Sequence, residues 1–205
     1  MLDIGTFNSE IDWLIEKQHD AQTYSGKYWR IWQVNSAPIP KVIGEAFGFF
    51  EHIANPELWV TDMSTKKDLA PSGFKPEDAS IELKAYHAIG QQGVKQKNGE
   101  LRAQLYAADA VFYPFANTPK IGIEVLKPYL IEYSSHGARI ESVQTHTHEA
   151  IYLGGYILEF AKFAVAWSYD NLPGRADGKG IALRKRMENG ELLYYRHIGT
   201  HNFDN

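Results

Sequence analysis

The chain has 205 residues, of which 44% are apolar and 22% charged, and a formal net charge of −4. Values this near the soluble globular average exclude a disordered, collagenous or coiled-coil chain, and the negative balance leaves no overall electrostatic footprint for nucleic acid. The absence of cysteine excludes disulfide frameworks, cysteine-ligated zinc, iron–sulfur clusters and thiol nucleophiles.

No basic region followed by an apolar run opens the chain, so no signal peptide is expected. The most apolar stretch, Ala150 to Tyr169, contains Glu159, Lys162 and two central glycines, which falls short of a membrane span. The sequence thus predicts a soluble protein, cytoplasmic or part of a virion.

In chain order, residues 9–19 read as a short helix: Ser9 can cap it, Glu10 and Asp12 suit the positive end of its dipole, and Ile11, Leu14 and Ile15 form a stripe. Tyr28 to Val34 is β-branched and aromatic and reads as a strand. A second helix is expected over 40–54, opened by Pro40, with Ile43, Ala46, Phe47, Phe50 and Ile53 at helical spacing. Strands are expected at Leu58 to Asp62 and Ala79 to Ala88, and another over Leu101 to Phe115 after a polar loop at Gln91 to Gly99. Tyr129–Tyr133 and Arg139–His148 flank Ser134-Ser135-His136-Gly137 as a hairpin. Ile181–Met187 and Glu191–His197 flank Glu188-Asn189-Gly190 as another, because Asn-Gly tolerates the positive φ of a tight turn. Between them, 150–169 reads as a third helix with Leu153, Ile157, Phe160, Ala161, Ala164 and Trp167 on one face, although Gly154-Gly155 could turn a hairpin. Asp170 to Gly174 ends it, and Gly174 to Gly180 reads as a surface loop.

The sharpest catalytic pattern is Glu82-Leu83-Lys84 in the strand expected at Ala79 to Ala88, downstream of Asp62 and Asp68. On a strand, positions i and i+2 share a face, so Glu82 and Lys84 would stand together. An upstream aspartate followed by a strand carrying E-x-K resembles the signature of the PD-(D/E)xK nucleases. That resemblance implies Mg²⁺ held by Asp68 or Asp62 and Glu82, with Lys84 orienting the attacking water and nucleic acid as substrate. The same residues also fit the solvated face of a half-buried strand whose other face carries Ile81, Leu83 and Ala85, and this is the reading preferred.

His146-Thr147-His148 places two imidazoles on one face of a strand, and it resembles the His-x-His of the cupins. With His197 from a neighbouring strand it would complete a three-histidine metal site; the alternative is surface or hydrogen-bonded histidines. The remaining signal is aromatic: Phe 10, Trp 5 and Tyr 12 make 13% of the chain. Several stand at adjacent strand positions, such as Tyr194-Tyr195, which must face opposite sides.

The expected architecture is a single domain over 1–205, α+β and β-dominated: an antiparallel sandwich or barrel-like sheet built from hairpins with helices at 9–19, 40–54 and 150–169. The expected function is a non-enzymatic assembly subunit, of virion or phage-tail type, self-associating as a homo-oligomer or with other subunits through β-edges and aromatic surface, without cofactor or membrane. The alternatives are the Mg²⁺-dependent nuclease and a histidine-ligated metal protein.

Overall fold

A computed structural model describes residues 1–15, 18–33, 41–51 and 76–202. The chain groups into two compact units, Met1–Asp68 with Pro114–Thr118 and Phe203–Asn205, and Leu69–Tyr113 with Pro119–Asn202.

The first unit contains three antiparallel strands in the order β1-β2-β3: β1 (Leu2–Ile15), β2 (Gln18–Gln33) and β3 (Lys41–Phe49). The strand expected at Tyr28 lies within β2. Where the helices expected at 9–19 and 40–54 fall on described residues, the chain is strand as far as Phe49. β1 pairs with β2 without a break from Leu2↔Ile31 to Ile15↔Gln18. A ladder of that length satisfies the backbone in a way that outweighs the weak local preference of an eleven-residue apolar pattern. In β3 the helical spacing was coincidental, because Phe47 and Phe49, two apart, both meet Phe7, at 6.4 and 5.7 Å between ring centroids. Tyr24 and Phe49 are buried in the same cluster. Lys27 is fully buried, and its ammonium donates to the Pro114 carbonyl and, at 2.7 Å, to that of Asn117. The strand expected at Leu58 to Asp62 lies outside the described residues.

The second unit runs α1 (Pro76–Lys95), α2 (Gly99–Ala103), β4 (Tyr106–Tyr113), β5 (Lys120–Ile121), α3 (Ile123–Ser134), β6 (Arg139–Tyr152), β7 (Tyr156–Tyr169), β8 (Leu172–Arg186) and β9 (Leu192–His201). Its open sheet has the order β5-β4-β9-β8-β7-β6. All pairs are antiparallel except β4–β9. The α+β, β-dominated class is therefore as expected, but no barrel closes and the helices stand elsewhere.

The strand expected at Ala79 to Ala88 is in α1. Leu83, Tyr86, His87 and Gly90 follow helical spacing, and fully buried Leu83 packs on Ala150, Ile157 and Leu192. The loop expected at Gln91 to Gly99 is the end of α1 and the start of α2, capped by the Asn98 carboxamide oxygen, which accepts from Leu101 N–H at 2.9 Å. Tyr129–Tyr133 is helical, not a strand, because Leu126, Leu130 and Ser134 recur every fourth residue on the buried face of α3.

The helix expected at 150–169 is the alternative hairpin. Gly154, with φ 65°, turns β6 into β7. Ile157, Leu158 and Glu159 are all buried in succession, so this internal strand lacks the alternation that marks a half-exposed one. Asp170 and Asn171, at φ 48° and 64°, then turn β7 into β8, so Gly174–Gly180 is strand rather than loop. The expected Asn189-Gly190 turn joins β8 to β9, with Gly190 at φ 86°. Among the described residues no helix is long and apolar enough to cross a membrane.

Candidate active site

α1 lies on β6 at one margin of the sheet, and α3 lies against β4 and β5 at the other. Between them, three cross-strand rows face the helices. The register aligns Tyr106, Tyr194, Arg184 and Ile157 in one row, and Phe112, His197, Ala182, Glu159 and Ala150 in the next. A third row holds Gly199, Gly180, Ala161 and Thr147. Alternation keeps cross-strand partners, and residues two apart, on one face.

The glycine row is open at one position. A Cβ built on Gly199 would meet no described atom within 4 Å; one on Gly180 would lie 3.2 Å from the Ile198 carbonyl and 3.7 Å from His197 Nε2, so the space is at Gly199. Small side chains along the middle strands thus leave room beside the two polar groups of the adjoining row, His197 and Glu159. These stand two strand spacings apart, about 10 Å.

Glu159 is 1% exposed and accepts three hydrogen bonds. His87 Nε2 lies 2.6 Å and Thr147 Oγ1 2.8 Å from its Oε1, while Arg184 Nε donates to Oε2 at 2.8 Å. Burial alone would raise its pKa. The His87 hydrogen bond and the Arg184 charge overcome that and bring it down to about 2. Glu159 is therefore a permanent carboxylate. It holds the His87 ring through Nε2, which also lies 3.0 Å from Thr147 Oγ1.

His197 is held differently. Its ring is sandwiched between Tyr194, at 4.5 Å and nearly parallel, and Phe112 at 5.0 Å, and the Arg184 guanidinium covers the Tyr194 ring at 3.8 Å. Burial, reinforced by the positive Arg184, lowers the His197 pKa to about 3, so the ring is neutral. Nδ1 meets the Tyr106 hydroxyl at 2.8 Å. Burial holds that phenol far above its ordinary pKa, so it keeps its proton. The tautomer in which Tyr106 donates to Nδ1 carries the imidazole proton on Nε2, beside Gly180. His197 can thus offer an uncharged N–H to a ligand oxygen.

The sequence-predicted sites do not assemble. Glu82 and Lys84 stand on a helix, where positions two apart diverge, so the shared face on which the nuclease geometry depended is missing. Glu82 instead bonds Arg186 Nη2 at 2.6 Å and accepts from the Tyr152 hydroxyl at 3.4 Å; Lys84 is exposed. Asp62 and Asp68 lie outside the described residues. His146 and His148 are exposed on β6, the first on the face opposite Thr147. His197 is on β9, with β7 and β8 between, so the three histidines share no site. Among the described residues no group of three or more His, Asp or Glu side chains is placed to hold a metal. A depression along α3 is lined by Ile123, Glu124, Lys127, Pro128, Ile131 and Glu132, all from one helix.

Sequence reasoning did not single out His87, and gave Arg184, Tyr106 and Glu159 no place in a common site. The available signal was Glu159 itself, the sole acid in the most apolar stretch of the chain. Such a residue stays charged inside only when paired.

Helices on one face of an open mixed sheet define a known α+β class. The chain is similar to a ketosteroid isomerase-like protein from Erwinia carotovora atroseptica SCRI1043, with TM-score 0.52 and 12% identity, over 64% of this chain and 100% of that one. It is similar to a domain with a cystatin-like fold from Nostoc punctiforme, with TM-score 0.52 and 14% identity, over 64% and 81%. A protein from Catenulispora acidiphila in complex with S-DNPA gives TM-score 0.54 and 15% identity, over 61% and 94%. These likenesses establish the fold. No family model and no curated protein matches the chain.

Proposed function

We propose that the six-stranded unit binds a small organic carbonyl compound over the glycine row and catalyses proton transfer next to the carbonyl. In this reading His197 Nε2–H is the neutral donor to the carbonyl oxygen. His87, backed by Glu159, takes up the proton. The observation that carries it is His197 Nε2 placed beside Gly180 and the open side of Gly199 among the described residues, with a buried carboxylate–histidine pair across Ala182. Two fold neighbours support it: one is described as ketosteroid isomerase-like, and another holds S-DNPA.

The test is ligand-detected NMR with acetophenone in D₂O. Binding, and deuterium entering the methyl group faster with protein than without, are expected. Gly199→Leu should fill the open floor and abolish both, while His87→Ala should abolish only the exchange. Exchange at the rate of buffer alone would refute the catalytic part, and undiminished binding by Gly199→Leu would refute the site.

A second reading retains self-association. Its supporting observation is on β3, an outer strand among the described residues of the three-stranded sheet, which exposes Val42, Ile43 and Phe47 beside an edge that no described strand pairs. Sedimentation should show concentration-dependent mass that Phe47→Lys removes; a strict monomer at high concentration would end this reading.

A further inference from the structure

Arg184 is fully buried, yet most of its hydrogen-bonding capacity is unused. Nε donates to Glu159 Oε2 at 2.8 Å, while Nη1 and Nη2 have no hydrogen-bond partner. The Tyr194 ring, 3.8 Å from Cζ, attracts the flat face of the guanidinium, and its hydroxyl interacts with Arg184 without meeting either Nη at hydrogen-bond geometry. Glu159 meets Nε alone, its other oxygen serving His87 and Thr147.

Natural proteins rarely leave buried donors unmatched, and here the unmatched ones form a planar fork. A fork of two Nη groups fits the two oxygens of a carboxylate. Its position is consistent with that use: Arg184 shares a face of β8 with Ala182 and Gly180.

We propose that Arg184 is an anion-recognising residue and that the ligand of this site is a small organic carboxylate, bound end-on through Nη1 and Nη2. This rests on the ligand-binding reading above and names its ligand class. Arg184 binds and orients; no covalent step is assigned to it.

The experiment compares benzoate with benzamide, its neutral near-isostere, by NMR titration of the full chain. The wild type should prefer benzoate by about tenfold or more, and the Arg184 Nη proton resonances should move with benzoate and stay in place with benzamide. Arg184→Lys keeps a cation beside Glu159 but loses the fork. It should cut the preference to roughly threefold or less, with benzamide affinity unchanged. Equal affinities in the wild type, or unmoved Nη resonances at saturating benzoate, would overturn the proposal, water then being the partner; the wild-type readout stands even if the lysine variant fails to fold. The two readings fail separately. Benzamide bound by the wild type, lost in Gly199→Leu and matched by benzoate would overturn the carboxylate assignment and leave the site. Benzoate bound equally by Gly199→Leu would retain the anion site and overturn the glycine-row reading.

Discussion

Replacing Glu159 by glutamine tests the electrostatics of the interior most directly. The substitution keeps the shape and lets His87 reverse its tautomer, so the hydrogen bonds at 2.6, 2.8 and 2.8 Å can largely be remade. What disappears is the charge opposite Arg184, which is 0% exposed. Breaking a buried ion pair from one side costs about 3–5 kcal/mol. Linkage gives an independent figure: a carboxylate brought from 4.5 down to about 2 contributes about 3 kcal/mol at neutral pH. Because the folded-state pKa is the depressed one, that contribution is complete above pH 4.5 and is lost as pH falls toward 2. Urea unfolding of wild type and Glu159→Gln should therefore differ by about 3–5 kcal/mol near pH 7, and about 2 kcal/mol of that gap should be gone by about pH 3. A gap under about 1 kcal/mol at neutral pH, or one that does not narrow on acidification, would refute the reasoning.

His197 gives a second pH signature. Its folded pKa is lowered from 6.5 to about 3, so the unfolded chain takes the proton first. The corresponding stability is complete above about pH 6.5 and is lost progressively below it, and His197→Gln should flatten the unfolding free energy between about pH 6.5 and 4.5; an unchanged slope would contradict a neutral buried ring. For the helical placement of the E-x-K segment, Leu83→Ala should cost about 2–5 kcal/mol and Ile81→Ala, which is 73% exposed, under about 0.5 in denaturant unfolding. Similar costs at the two positions would undermine the helix. Glu82→Gln breaks a half-exposed pair with Arg186 and should cost under about 1 kcal/mol, while acetophenone binding stays at the wild-type level. A loss of binding would return Glu82 to the site.

Some of this was legible one residue at a time. The Asn189-Gly190 turn was readable because its backbone demand is local, and Tyr28 to Val34 because β-branched and aromatic residues crowd together there. On β8, alternation sets Lys185 on the face opposite Arg184 and Arg186. In the structure Lys185 meets the Tyr195 ring at 5.5 Å, while Arg184 joins Glu159 and Arg186 meets Glu82. Periodicity misled where burial was two-sided. In 150–169 successive apolar residues fit either period, and in Ala79 to Ala88 the pair Glu82 and Lys84 drew more attention than the helical spacing of Leu83, Tyr86 and His87.

The sequence by itself determined the α+β composition, the exclusion of cysteine chemistry and the sharpest turns, because these depend on residue identity and on contacts a few positions apart. Only the tertiary structure decided which charges met. Arg184, Glu159 and His87 come from β8, β7 and α1, with 72 positions between His87 and Glu159. Their partnership is set by strand register and by the packing of α1 on β6. No local pattern encodes it, since the interaction that keeps a buried charge ionised is made across the sheet rather than along the chain.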